Sequence, residues 1–231
     1  MAHIVKPDLT AIIPLRNREG GKTRLAESFT PLQRERLVRA MAETVLDAVL
    51  SSGEASQIVL VTRDPVFAQE VIGPRTGVRI VHQPARFPGL TGALDFGRES
   101  ATSTSILVLF ADLPMIAVQD IRAVAASESR VVLLPDRHRN GTNGVLVRHD
   151  PDAEFQFRFG ESSFSKHMLE TDRLWWDRDV IERNGTATDL DTVTDWLELP
   201  ERLRDELIDN GQTEGIRRDQ SVASVSCLHE L

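Results

Sequence analysis

Four short apolar runs constrain the fold most: Thr10–Leu15, Ile58–Thr62, Ile106–Phe110 and Val131–Leu134. Each is rich in leucine and β-branched residues, and each ends at polar or chain-breaking residues. A strand with no polar side must be covered on both faces, which is the condition of a strand in a parallel sheet. Val78–His82 reads as a fifth strand and Gly144–Val147 as a sixth. Helical patterns separate them. Pro31–Leu50 carries Leu32, Leu37, Met41, Val45 and Leu46 among arginines and glutamates, the stripe of an amphipathic helix. Asp64–Val71, Thr91–Ala101 and Ala117–Ala126 read as shorter helices. Strands alternating with helices predict an α/β fold, with a mainly parallel sheet and helices on both faces.

The 231 residues suit one such domain, and 41% hydrophobic content is enough for a full core. A net charge of −8 excludes a general nucleic-acid or anionic-membrane binder, because a phosphate backbone demands a basic surface. It leaves room for a local basic pocket that takes a small anion. The single cysteine, Cys227, rules out a disulfide framework or a cysteine cluster. The N-terminal residues lack the pattern of a signal peptide, and no stretch approaches the roughly 18 apolar residues of a membrane span, so the expected habitat is the cytoplasm. Asp150–Leu174, rich in Phe, Ser and Gly, reads as an irregular insertion over the sheet edge, and Asn210–Leu231 as a loosely held polar tail. Trp175 and Trp176 read as edge or core packing.

Ligands of parallel sheets bind beyond the carboxyl ends of the strands. The motifs Arg16–Arg24, Thr62–Asp64, Asp112–Pro114 and Pro135–Gly144 all fall there. After Pro14-Leu15 comes a loop with Gly20, Gly21 and three cations, Arg16, Lys22 and Arg24. Such a loop can hold a triphosphate through backbone N–H groups and charge, although its spacing is not that of a P-loop. The plainer alternative is a solvated surface loop. In Phe110-Ala111-Asp112-Leu113-Pro114 an acid follows directly on a strand, placed either for a divalent cation or as a helix cap. Asp189-Leu190-Asp191 sets two acids at i and i+2, on one side of an extended segment. Acidic turns are common, but with Asp112 these acids make up the three carboxylates of a metal-assisted phosphoryl-transfer site. Asn140-Gly141-Thr142-Asn143-Gly144 and Phe159-Gly160-Glu161-Ser162-Ser163-Phe164 with His167 offer hydroxyl and backbone donors to a small anion. The second of these reads equally as a turn before a helix, capped by Ser163 with His167 packed on it. No nucleophile elbow of a serine hydrolase and no paired histidine zinc spacing is present.

Taken in order, these pieces resemble the CofC/FbiD family, the guanylyltransferases of deazaflavin coenzyme F420 biosynthesis. The resemblance rests on Ile13-Pro14-Leu15-Arg16 with Lys22-Thr23-Arg24-Leu25, Gly89-Leu90, and Ala111-Asp112-Leu113-Pro114. It continues through Pro135-Asp136-Arg137 with Gly141-Thr142-Asn143, and Phe159-Gly160 with Ser163-Phe164 and His167. It implies a compact, single-domain GT-A-like nucleotidyltransferase fold over residues 1–210, with 150–174 over the active site and 211–231 as the tail. It also implies transfer of GMP from GTP to the phosphate of 2-phospho-L-lactate, phosphoenolpyruvate or 3-phospho-D-glycerate, with release of pyrophosphate. By the same resemblance Asp112, Asp189 and Asp191 match a Mg2+ site, and Thr142, Gly160 and Ser163 match the acceptor site. Arg16 stands where lysine is common, which keeps charge but alters geometry. Thr91 follows Gly89-Leu90 where asparagine is expected, which touches base selectivity. The expected partners are GTP and a small phosphorylated acid, with neither nucleic acid nor membrane; a homodimer is an open option.

The mechanism implied needs no protein nucleophile: Lys22 and Arg24 stabilise the leaving pyrophosphate, while Arg16 contacts substrate. Two alternatives stand beside it. A sugar-phosphate or molybdopterin nucleotidyltransferase would share the architecture, but its usual glycine-rich LxGGxSxRMGxxK-type loop is not reproduced by Leu15–Arg24. A nucleotide-binding regulator without turnover has no use for all three aspartates.

Overall fold

The structure is a computed structural model that describes residues 8–16, 22–150 and 152–209. The loop glycines Gly20 and Gly21, and the tail with Cys227, lie outside the described residues. The six expected strands form: β1 (Leu9–Leu15), β2 (Gln57–Thr62), β3 (Val78–His82), β4 (Ser105–Leu109), β5 (Val131–Pro135) and β6 (Thr142–Arg148). A seventh, β7 (Arg178–Val180), joins them in the order β3-β2-β1-β4-β6-β5-β7. β6 runs antiparallel to both its neighbours, and every other pairing is parallel.

Alternating side chains of these strands enter two separate cores. Ala11, Ile13, Leu60, Leu107 and Leu146 face one side, under α1 (Pro31–Ser52), α2 (Pro65–Ile72) and α4 (Val118–Ala126). Ile12, Val59, Val61, Val108 and Val145 face the other, under α3 (Gly89–Glu99), α5 (Ser163–Leu174) and the phenylalanines Phe155 and Phe157. The chain punctuates α1 with a reciprocal Thr30–Gln33 capping box and Pro31 in its first turn. The Asp64 carboxylate accepts the Phe67 N–H and so caps α2, which gives the acid after β2 a structural task.

The reading of Asp150–Leu174 needs correction. Its second half is the regular helix α5, as the alternative of a turn before a helix expects, and Phe155 and Phe157 of the preceding segment pack into the second core. Gln156 N–H donates to Glu170 (2.9 Å) and Arg158 N–H to His167 (2.9 Å), so alternate backbone groups dock on α5 while Phe155 and Phe157 enter the core. The N-cap of α5 is Ser162, in the left-handed region, and not Ser163. The tryptophans divide: Trp176 packs on the second core, whereas Trp175 is 95% exposed.

Three short helices, α6 (Asn184–Ala187), α7 (Val193–Glu198) and α8 (Glu201–Asp209), close the described chain. With α1, helices α7 and α8 enclose a third core around Leu25, Met41, Leu190 and Trp196. No helix of the described residues is long and apolar enough to cross a membrane.

Candidate active site

The third core explains how the acids meet. Leu190 is fully buried in it and turns the flanking Asp189 and Asp191 away together. Its N–H donates to the backbone carbonyl of Asp112 (3.1 Å), which ties the acid pair to the loop after β4. Leu25 enters the same core from the loop after β1 and fixes the 3₁₀ turn that follows Lys22. Lys22 itself adopts φ 55°, and its ammonium donates to Asp112 Oδ2 (2.7 Å) and Asp191 Oδ1 (2.6 Å).

Only 8% of the Lys22 side chain is exposed, so its charge has to be matched locally. Burial alone would lower its pKa; the two carboxylates outweigh that and raise it. Asp191 shows the converse. Burial pushes its carboxyl up, but Lys22, helped by the nearby charges of Arg16 and Arg24, holds it below the usual range. Asp189 is pushed up to about 6, first by burial and then by repulsion from Asp112 and Asp191. Asp112 Oδ1 is buried without a hydrogen-bond partner among the described residues.

The acids rest on a clamp that sequence reasoning missed. Asp195 Oδ2 accepts the N–H groups of Asp191 (2.9 Å) and Thr192 (2.6 Å). Arg137 pairs with Asp195 and Glu198, so the Pro135-Asp136-Arg137 motif is scaffolding. Asp136 arranges the turn behind it, accepting N–H groups from His138, Asn140 and Gly141. On the other side Asp120 pairs with Arg183 and lies against Gly185 of α6.

Next to the acids, β6 begins with two buried polar residues. Asn143 Nδ2 donates to the Thr186 carbonyl (3.0 Å) and, more weakly, to Asp189 (3.5 Å). Thr142 Oγ1 lies 3.0 Å from His167 Nδ1. Phe164 N–H donates to the Asn140 carbonyl, which draws the start of α5 onto the same turn. Gly160, at φ 115°, uses backbone freedom that other residues lack, and its carbonyl accepts the Ser163 N–H (3.1 Å). Thr142, Gly160 and Ser163, distant in sequence, are thus joined around one turn, and Asn143 links that turn to Asp189.

His167 is fully buried, stacked on Phe155 and edge-on to Phe159. Burial drives its pKa down to about 4, with a lesser push from Arg158 against the pull of Glu170. A folded value below the ordinary 6.5 means the unfolded chain takes up a proton first as pH falls. This stability is present above pH 6.5 and is lost as pH falls through about 4, about 3 kcal/mol in all at about 1.36 kcal/mol per pKa unit. Denaturant melts from pH 7 to 4.5 should therefore show a steeper decline in the natural chain than in His167→Leu. Parallel declines would contradict this.

The nine candidate residues thus fall into two groups with a bridge between them. Lys22, Asp112, Asp189 and Asp191 cluster, with Arg16 and Arg24 exposed nearby. Thr142, Gly160 and Ser163 form the second group. The sequence reading set Lys22 on phosphates, whereas here it pairs with two acids. Among the described residues no three His, Cys, Asp or Glu side chains are gathered as a ready-made metal site. The donor chemistry nevertheless suits a hard divalent cation: oxygen ligands, one orphaned buried carboxylate oxygen and a mutually repelling acid.

The chain is similar to known proteins along most of its length. The profile of the "Guanylyl transferase CofC like" family matches residues 9–201. A phosphoenolpyruvate guanylyltransferase of Sphaerobacter thermophilus is 32% identical over 82% of this chain and 91% of its own. A 2-phospho-L-lactate guanylyltransferase of Methanothrix thermoacetophila is 28% identical over 81% of each. In fold, the chain is similar to a nucleotidyl transferase from Methanothermobacter, with a TM-score of 0.64 and 19% identity over 87% of this chain and 98% of that one. The α/β architecture, the cluster of acids and the match across nearly all the described residues lead to one conclusion: the chain belongs to the CofC-like guanylyl transferase family and is a nucleotidyltransferase.

Proposed function

We propose that Lys22, Asp112, Asp189 and Asp191 form the centre at which the α-phosphate of GTP is transferred, and that Thr142, Gly160 and Ser163 hold the acceptor beside it. The enzyme moves GMP from GTP onto the phosphate of a three-carbon phospho-acid in coenzyme F420 biosynthesis. One observation carries the residue assignment: a buried ammonium beyond the carboxyl end of β1 is shared by two carboxylates, beside a third carboxyl raised to about 6 by burial and then by its acidic neighbours.

The acceptor's phosphate oxygen attacks the α-phosphorus in line. A new P–O bond forms there, the bond to the β-phosphate oxygen breaks, and pyrophosphate leaves with the electron pair. The acceptor phosphate is already anionic at neutral pH, so no general base is required. Lys22, Arg24 and Arg16 neutralise the triphosphate and its leaving group. Asp112, Asp189 and Asp191 would hold Mg2+, which supplies charge neutralisation on the phosphates. The hydroxyls of Thr142 and Ser163 bind the acceptor's anionic groups. GTP, the acid and Mg2+ are all cytoplasmic solutes, and the reading places the enzyme there.

Lys22 gives the test. Lys22→Met should lower kcat/KM for GTP by about tenfold or more, the effect of about 1.4 kcal/mol. Without nucleotide the same change should tighten Mn2+ binding, followed by electron paramagnetic resonance, because a competing positive charge leaves Asp112 and Asp191. Unchanged GTP constants together with unchanged Mn2+ affinity would return Lys22 to a purely structural role.

A further inference from the structure

The donor pattern around Thr142 is over-determined on one side and open on the other. His167 Nε2 accepts the Arg158 backbone N–H at 2.9 Å, so that nitrogen carries the lone pair. A neutral ring then bears its proton on Nδ1, and that N–H donates to Thr142 Oγ1 at 3.0 Å. The hydroxyl has spent an acceptor site on His167, and its own proton meets no acceptor among the described residues. Thr142 is 2% exposed, and a buried hydroxyl proton without a partner is costly. The ring cannot turn to relieve this, since Phe155 stacks on it at 5.8 Å and Phe159 meets it edge-on at 4.7 Å between centroids.

We propose that His167 is a positioning residue for the acceptor: fixed as the Nδ1–H tautomer by the Arg158 backbone, it orients the Thr142 hydroxyl so that its proton is presented to an anionic oxygen of the phospho-acid. The inference rests on the placement of the acceptor at Thr142. The peptide segment Gln156–Arg158 thereby helps to set the acceptor site without touching substrate. A simple packing role for His167 would require neither tautomer nor donor.

The test is steady-state kinetics, with pyrophosphate release as the readout and phosphoenolpyruvate, 2-phospho-L-lactate and 3-phospho-D-glycerate each as acceptor. His167→Leu should raise the acceptor KM by about tenfold, the scale of one lost hydrogen bond, while the KM of GTP changes less than about twofold. His167→Asn, whose amide N–H replaces the Nδ1–H donor, should recover most of the loss. In a Thr142→Val background His167→Leu should add nothing further. Equal changes in both constants, no recovery with Asn, or additive effects would overturn the proposal. Nitrogen-15 spectra of the natural protein give a check that needs no variant to fold: His167 should be the neutral Nδ1–H tautomer at pH 7, and an Nε2–H tautomer or an imidazolium would overturn it. Natural enzyme that turns over none of the three acids removes the functional reading and this inference with it. Ordinary turnover with an unshifted acceptor constant in His167→Leu removes only the inference.

Discussion

Asp112→Asn is expected to lower kcat by at least about a thousandfold and to leave the fold intact. The loss follows from weakening charge stabilisation worth several kcal/mol in the transition state, of which about 4 kcal/mol equals that factor. Stability is spared for a specific reason. The backbone carbonyl of Asp112, which holds Leu190, survives the change, and Lys22 keeps Asp191 as its partner. Asp189 is also relieved of one of the two charges that repel it, so its carboxyl should move back down from about 6. Turnover within tenfold of the natural enzyme would remove Asp112 from the catalytic centre. Unfolding on substitution would instead mark it as a structural acid.

The second large effect is on stability. A β-carbon on Gly185 would lie 2.0 Å from Asp120 Oδ2, 2.8 Å from its Cγ and 2.9 Å from the Met115 carbonyl oxygen. Asp120 has no room to retreat: it is 4% exposed, paired to Arg183 and accepting the Ala117 N–H at 2.9 Å. Gly185→Ala should cost about 3 kcal/mol, the upper end for overpacking, and lower the melting temperature by roughly 6–12 °C in a chain of this size. α6 leads directly into Asp189, so activity should fall with it. A melting temperature within about a degree of the natural chain's would show that this junction is not tightly packed.

The strands were legible because burial on both faces leaves a continuous apolar run, and Val78–His82 was read to the residue. β7 was not legible. Three residues at a sheet edge, two of them Arg178 and Asp179, carry no apolar signature. The antiparallel direction of β6 was also hidden, because Thr142–Arg148 would make the same apolar run in either orientation. Helix α5 is legible only as one of two readings of its segment, and its cap lies one residue early, at the left-handed Ser162, because two adjacent serines look alike as caps in sequence. In the site, the acids could be found because Asp189 and Asp191 alternate about a buried leucine and Asp112 follows shortly after an apolar strand. The pairing of Lys22 spans 90 residues to Asp112 and 169 to Asp191, so only the folded chain reveals it. The clamp of Arg137 on Asp195 was hidden for the same reason.

The central claim is that this cluster joins GMP to a phosphorylated three-carbon acid. The most direct measurement incubates the enzyme with GTP, Mg2+ and each of phosphoenolpyruvate, 2-phospho-L-lactate and 3-phospho-D-glycerate, following pyrophosphate and identifying the product by phosphorus-31 spectra. The account predicts pyrophosphate equal in amount to a new GMP–acid phosphoanhydride with at least one of the acids, abolished by EDTA and by Asp112→Asn. No pyrophosphate with any of the three, or faster release with a sugar phosphate that lacks a carboxylate, would contradict it.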